Sequence, residues 1–167
     1  RRLVVSYMEE TAGYVEDEYC WEAAVRINAV CEAPDANVHF LVGGTQTNVT
    51  VIASALRPYQ GAITATTGHI NVHETGALEA CGYKCLTIDT PDGKLTAEQV
   101  EKYTKAHFAD ESFEHMVQPK LVYISNPTEL GTIYKKAELE ALYRVCREND
   151  LYLFIDGPRH GYGLACR

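Results

Sequence analysis

Residues able to do chemistry follow short apolar runs at several points in this chain. Gly44, Thr45 and Gln46 follow VHFLVG, and His69 follows AITATTG. Asn126 and Thr128 follow LVYIS, and Asp156 and Arg159 close LYLFIDGPR. A glycine turn opening onto a helix leaves aligned backbone N–H groups, and hydroxyls from Thr45 and Thr47 add to them, a pattern suited to phosphate. An imidazole can stack on a flat ring. A carboxylate in a poorly solvated site can keep a heteroaromatic nitrogen protonated. An arginine can grip a carboxylate through paired hydrogen bonds. Neither a GxGxxG dinucleotide spacing nor a GK[ST] nucleotide loop is present, so a phosphate bound here belongs to another ligand.

Each residue also has an ordinary reading. Thr45 could simply cap a helix. His69 could be a loop histidine, Asn126-Pro127 a turn former, Asp156-Gly157 a turn pair and Arg159 a surface charge. Their shared position decides between the readings, and that position depends on the elements around them.

Val38, Phe40 and Val42 suit a short buried strand, and Gly43-Gly44 break it. Thr45 to Leu56 reads as a helix with Val49, Ile52, Ala53 and Leu56 on its apolar side. Upstream, a helix reaching about Glu32 carries Cys20, Ala24, Ile27 and Cys31 on one face, and Pro34-Asp35 ends it. Downstream, strands are expected at Ala62–Ala65, Tyr83–Ile88, Leu121–Ile124 and Leu151–Ile155. Between them a helix is expected over Val72–Cys81. Another, bearing Val100, Tyr103 and His107, opens with a Thr96/Gln99 capping box, and a third covers Ala137–Glu148. Five alternations of strand and helix predict an α/β fold, a three-layer α/β/α arrangement around a mostly parallel sheet. Such sheets bind ligands at the carboxyl ends of their strands, where the polar residues named above fall.

Composition narrows the function classes. The chain has 167 residues, 46% hydrophobic and 23% charged, with a formal net charge of −8. That size suits one domain, and the charge argues against nucleic-acid or acidic-membrane binding. No apolar run reaches membrane-spanning length. The opening RRLVVSYMEE is too short in its apolar part for a signal peptide, and the absence of a starting Met suggests a fragment. Six cysteines form no CxxC pair, and Cys81/Cys85 makes at best half a metal site. They read as free thiols in a reducing cytoplasm, with no metal centre expected.

One ligand would use all the flagged residues: pyridoxal 5'-phosphate. The Gly44-Thr45-Gln46 turn supplies donors to its phosphate, and His69 stacks on its ring. Asp156 pairs with its pyridine nitrogen, and Arg159 holds the carboxylate of an amino-acid substrate.

The stretches HFLVGGTQTN, TGHINVHETGA, NPTELGT and FIDGPRHGYGLA resemble the threonine aldolase and aromatic amino acid β-eliminating lyase family. That family belongs to the aminotransferase-like fold, fold type I, of pyridoxal-phosphate enzymes. The resemblance runs through nearly the whole chain. It implies a phosphate-binding GT-x-x-N turn at Gly44, Thr45 and Asn48 and a ring-stacking histidine at His69. It also implies a DG-x-R motif supplying Asp156 and Arg159. Thr128 stands where threonine aldolases usually carry a histidine near the substrate, and it is the candidate catalytic residue of that loop. Pro158 and His160 depart from the usual DGAR pattern. The family's Schiff-base lysine lies beyond DG-x-R, whereas all seven lysines here precede Asp156.

The resemblance therefore implies a truncated large domain without the Schiff-base lysine or the small C-terminal domain, with no turnover of its own. It implies a lyase, cleaving L-threonine or allo-threonine to glycine and an aldehyde. β-Elimination with the same cofactor is the enzymatic alternative, and an inactive structural remnant is the non-enzymatic one. It further implies a homo-oligomer, dimer or tetramer, in which the Thr11–Asp17 loop with Tyr14 enters a neighbouring subunit's site.

Overall fold

The computed structural model describes residues 10–159. These form two compact units that meet in sequence between Val42 and Gly43. In the first, Asp17 caps helix α1 (Glu18–Val30) by accepting the N–H of Cys20 at 3.0 Å. The cap satisfies one of the donors a helix start leaves orphaned. Asn28 donates to the carbonyl of Ala36 and ties down the turn that follows the helix. Tyr14 lies in the loop before α1, almost fully exposed and with a positive φ of 62°.

Val38–Val42 forms no strand, contrary to expectation. An extended run becomes a strand only where a neighbour takes its backbone groups. No ladder among the described residues includes it, and Val42 is 99% exposed. The described sheet therefore has four strands rather than five.

The second unit is a four-stranded parallel sheet with helices on both faces. It runs α2 (Gly44–Ala55), β1 (Gln60–Ala65), α3 (His69–Val72), α4 (Ala77–Ala80), β2 (Lys84–Ile88) and α5 (Ala97–Ala109). Then follow a 3₁₀ turn (Phe113–His115), β3 (Gln118–Ser125), α6 (Lys136–Glu148) and β4 (Tyr152–Asp156). The strand order is β2-β1-β3-β4. Strand β1 is buried throughout, which fits the small and apolar residues from Gly61 to Ala65.

Strand alternation sorts the core into two halves. Ala62, Leu121 and Tyr123 point to one face and meet Ile52, Leu56, Ile70 and Leu78. Ile63, Ala65, Val122 and Ile124 point to the other and meet Val100, Leu142, Val145 and Cys146. The Thr96/Gln99 capping box opens α5 as its sequence predicts.

The helix expected over Val72–Cys81 is instead two short turns, α3 and α4. Thr75 and Gly76 between them have φ of 52° and 74°, left-handed angles that no α-helix accommodates. The break turns Glu74 inward, where it is buried.

From β1 the chain steps to β2 on one side and then returns to β3 on the other. The carboxyl ends of β1 and β3 therefore flank a topological switch point, where open α/β sheets form their ligand crevice. His69 follows β1, Asn126 to Glu129 follow β3, and Asp156 ends β4 in register with Ser125. Five of the six cysteines lie in the described residues, and none is disulfide-bonded. No described helix is long and apolar enough to cross a membrane.

Candidate active site

Asp156 is the anchor. Its Oδ2 accepts the Tyr123 hydroxyl at 2.5 Å and the Asn48 amide at 3.3 Å. Tyr123 is wholly buried on the neighbouring strand. Burial, then the bond to Asp156, pushes its hydroxyl well above the ordinary tyrosine range, so it stays a proton donor. Both bonds fall on Oδ2, and no described residue bonds to Oδ1. The carboxylate itself is half-buried.

A chain of polar contacts continues from there. The same Asn48 amide donates to Glu74 Oε1 at 2.9 Å. That oxygen lies 3.9 Å from His69 Nε2. His69 Nδ1 lies 3.5 Å from Glu129 Oε1, and Arg159 Nη1 lies 3.7 Å from that oxygen. Three of the atoms involved are buried without a hydrogen-bond partner: His69 Nδ1, Glu74 Oε2 and Glu129 Oε1. Unpaired buried polar atoms are costly, so three of them on adjoining side chains mark a place built for something further.

The backbone before His69 is tightly set. A Cβ at Gly68 would stand 2.1 Å from Thr64 Oγ1 and 2.9 Å from the carbonyl of Ala65. Glycine is required there because α3 must start against β1, and that start places the imidazole.

The residues flagged from sequence divide into groups. His69, Asp156 and Arg159 join in the chain of contacts just described. Gly44, Thr45 and Gln46 form the exposed first turn of α2, and no side chain caps it because Gly43 stands at the cap. A Cβ at Gly43 or Gly44 would meet nothing within 4 Å, so space over the turn is open. Thr47 does not serve that turn, since its hydroxyl donates back to the Gly43 carbonyl. Asn48, grouped by resemblance with the phosphate turn, is instead buried beneath it and reaches Asp156 and Glu74.

Asn126 organises its own loop. Its Oδ1 accepts the N–H of Tyr134, and the peptide bond to Pro127 is cis. Thr128 is spent in the same loop. Thr132 Oγ1 donates to the carbonyl of Asp92, so the Thr128 hydroxyl donates to Thr132 Oγ1 at 2.7 Å and accepts the N–H of Thr132.

Sequence reasoning missed Tyr123, Glu74 and Glu129. Tyr123 reads as one more core residue of a strand. Glu74 was hidden inside an expected helix. Glu129 had a usable signal, because it lies in the same strand-end loop that drew attention to Asn126 and Thr128.

Open space over a helix start, an imidazole flanked by carboxylates, an anchored aspartate and an arginine suit a ligand that is anionic at one end and cationic in its ring. Fold and site together define a class, and the comparisons agree. The profile of the β-eliminating lyase family matches residues 2–161, and the chain belongs to that family. A low specificity L-threonine aldolase of Pseudomonas sp. (strain NCIMB 10558) is 31% identical over 155 residues, covering 92% of this chain and 43% of that protein. The corresponding Pseudomonas aeruginosa protein is 30% identical over the same shares. A solved threonine aldolase structure from Leishmania major superposes with a TM-score of 0.92 at 48% identity, over 98% of this chain and 47% of that one. A pyridoxal-phosphate-bound C–S lyase from Staphylococcus hominis, at 16% identity and a TM-score of 0.58, shares the fold over 93% of this chain and 38% of its own. The chain thus spans under half the length of these relatives.

Proposed function

We propose that this chain binds pyridoxal 5'-phosphate and serves a lyase that cleaves L-threonine or L-allo-threonine to glycine and acetaldehyde. The observation that carries the reading is the anchoring of Asp156 by Tyr123 and Asn48 in the same contact chain as His69 and Arg159. The names of the relatives support the substrate class.

Each residue has a distinct task. The first turn of α2, at Gly44, Thr45 and Gln46, holds the phosphate through N–H and hydroxyl donors. His69 stacks on the ring. Asp156 holds a proton at the ring nitrogen by opposite charge at short range. Asn48 and Tyr123 hold Asp156. Arg159 orients the substrate carboxylate. When bound, the cofactor supplies an electron sink for the bond broken at the substrate's α-carbon. A cytoplasmic location and a homo-oligomer in which Tyr14 contacts a second copy complete the reading.

The test is a titration of the expressed protein with pyridoxal phosphate, followed by product analysis at the full length its gene encodes. Saturable binding with release of glycine and acetaldehyde is expected. Release of pyruvate and ammonia from cysteine- or tyrosine-like substrates would replace aldol cleavage by β-elimination. Absence of saturable binding would overturn the cofactor assignment.

A further inference from the structure

We propose that Glu129 receives the substrate's β-hydroxyl, first as hydrogen-bond acceptor and then as the base that takes its proton. The inference rests on the function proposed above and assigns a residue to its least explained step.

Cleavage of a β-hydroxy amino acid between Cα and Cβ requires a group that removes the hydroxyl proton. Thr128 gives its one proton to Thr132 Oγ1 and accepts the N–H of Thr132, and a neutral hydroxyl is a poor base for a second one. Asp156 is held by Tyr123 and Asn48 at the far end of the contact chain. Glu74 has a side chain only 1% exposed and is tied to Asn48, too deep to meet an entering substrate.

Glu129 differs on each count. Its side chain is 9% exposed against 1% for Glu74, and its Oε1, itself buried, has no hydrogen-bond partner. That one oxygen lies 3.5 Å from His69 Nδ1 and 3.7 Å from Arg159 Nη1. A substrate held by its carboxylate at Arg159, with its amino end over His69, spans these two residues. One of the two remaining substituents of its α-carbon then falls beside the oxygen that both approach, and the inference puts the β-carbon there. A hydroxyl there supplies the donor that Oε1 lacks, and an unpaired buried acceptor gains most from such a donor.

The step balances within the substrate and this side chain. The hydroxyl proton passes to Glu129 Oε1. The electron pair of the O–H bond closes the carbonyl of the departing aldehyde. The Cα–Cβ bond breaks and its pair stays on Cα, which takes up one proton and leaves as glycine; the proton now on Glu129 Oε1 balances that one and restores the carboxylate. Arg159 beside Glu129 stabilises its charge before the transfer.

The experiment uses stable secondary-amine adducts of pyridoxal phosphate with L-threonine, L-2-aminobutyrate and glycine, titrated calorimetrically into the protein. The first two differ only by the hydroxyl. Wild type should bind the threonine adduct about tenfold tighter than the aminobutyrate adduct, the scale of one hydrogen bond to a charged group. Glu129→Met should bring that ratio to about one and leave affinity for the glycine adduct within about twofold. In the active enzyme Glu129→Gln should lower kcat for threonine cleavage about a hundredfold, as expected for a lost general base. A threonine preference that survives in Glu129→Met overturns the inference and leaves the cofactor assignment standing. Failure of wild type to bind any adduct overturns that assignment and the inference with it. If Glu129→Met also loses the glycine adduct, Glu129→Ala decides by the same ratio, and an unchanged ratio there overturns the inference.

Discussion

Tyr123 and Asp156 lie on adjacent parallel strands, two residues out of register, and the buried tyrosine hydroxyl donates directly to the aspartate. The sheet itself thus aims the carboxylate that the proposed chemistry needs. Removing the hydroxyl should test this. Tyr123→Phe keeps the ring that packs edge-on against Phe154 and deletes only the bond. A hydrogen bond to a charged group contributes about 1.5–3 kcal/mol, and half-burial of Asp156 favours the lower end. The melting temperature should fall by a few degrees, and pyridoxal phosphate should bind more weakly. Unchanged cofactor affinity would mean that Asp156 keeps its place without Tyr123.

Asp156 and Arg159 should fail in different kinetic terms. If Asp156 faces the ring nitrogen as proposed, Asp156→Asn removes that charge, so kcat should drop on the order of a hundredfold, as for other lost electrostatic stabilisers. In the proposed role Arg159 holds a carboxylate that is charged before and during the reaction. Arg159→Ala should therefore act substantially on KM. Steady-state kinetics at saturating cofactor separate the two. A near-normal kcat in Asp156→Asn returns that residue to the role of a turn former.

Gly68→Ala should disturb the site from below. The added methyl would press on Thr64 Oγ1 and the Ala65 carbonyl, and the latter is backbone that cannot rotate away. Overpacking of this kind costs about 1–3 kcal/mol. Thermal melting measures that cost. Relief would come from shifting α3, so cofactor affinity should fall along with stability, since His69 opens that helix. Full affinity in a destabilised variant would separate Gly68 from the site.

Acid should weaken the contact between α6 and the β2–α5 loop. A hydrogen bond from Lys94 at 2.6 Å, with the N–H of Lys135, holds the Glu138 carboxyl below its ordinary value of 4.5. A carboxyl whose folded value is depressed contributes stability that is present above the unfolded value. That stability disappears as pH falls through the folded value. Melting temperatures recorded from about pH 5 downward should therefore fall more steeply in wild type than in Glu138→Gln. Parallel acid limbs in the two proteins would mean that the pair is fully screened by solvent.

Much of this architecture was legible in the residues alone. The alternation of strand and helix, the capping box at Thr96 and Gln99, and the place of His69, Asp156 and Arg159 at strand ends all follow from local pattern. Periodicity and cap chemistry act over a few residues, so a linear reading captures them. Where local pattern misled, long-range packing had the final word. Val38–Val42 has strand composition but joins no ladder among the described residues, and the expected helix over Val72–Cys81 breaks at Thr75-Gly76 so that Glu74 can turn inward.

The working contacts of the site belong to tertiary structure alone. Asn48 reaches Asp156 across 108 residues of sequence and Glu74 across 26, and Tyr123 reaches Asp156 across 33. Nothing in a one-dimensional pattern marks which core tyrosine will face which strand end. The parallel sheet decides it, because strand order and register bring the ends of β1, β3 and β4 together. Helix α2 packs across one face and delivers Asn48 beneath them. The sequence determined which chemical groups stand at the strand ends. Only the sheet determined which of those groups meet, since hydrogen-bond partners are set by distance in space rather than by spacing along the chain.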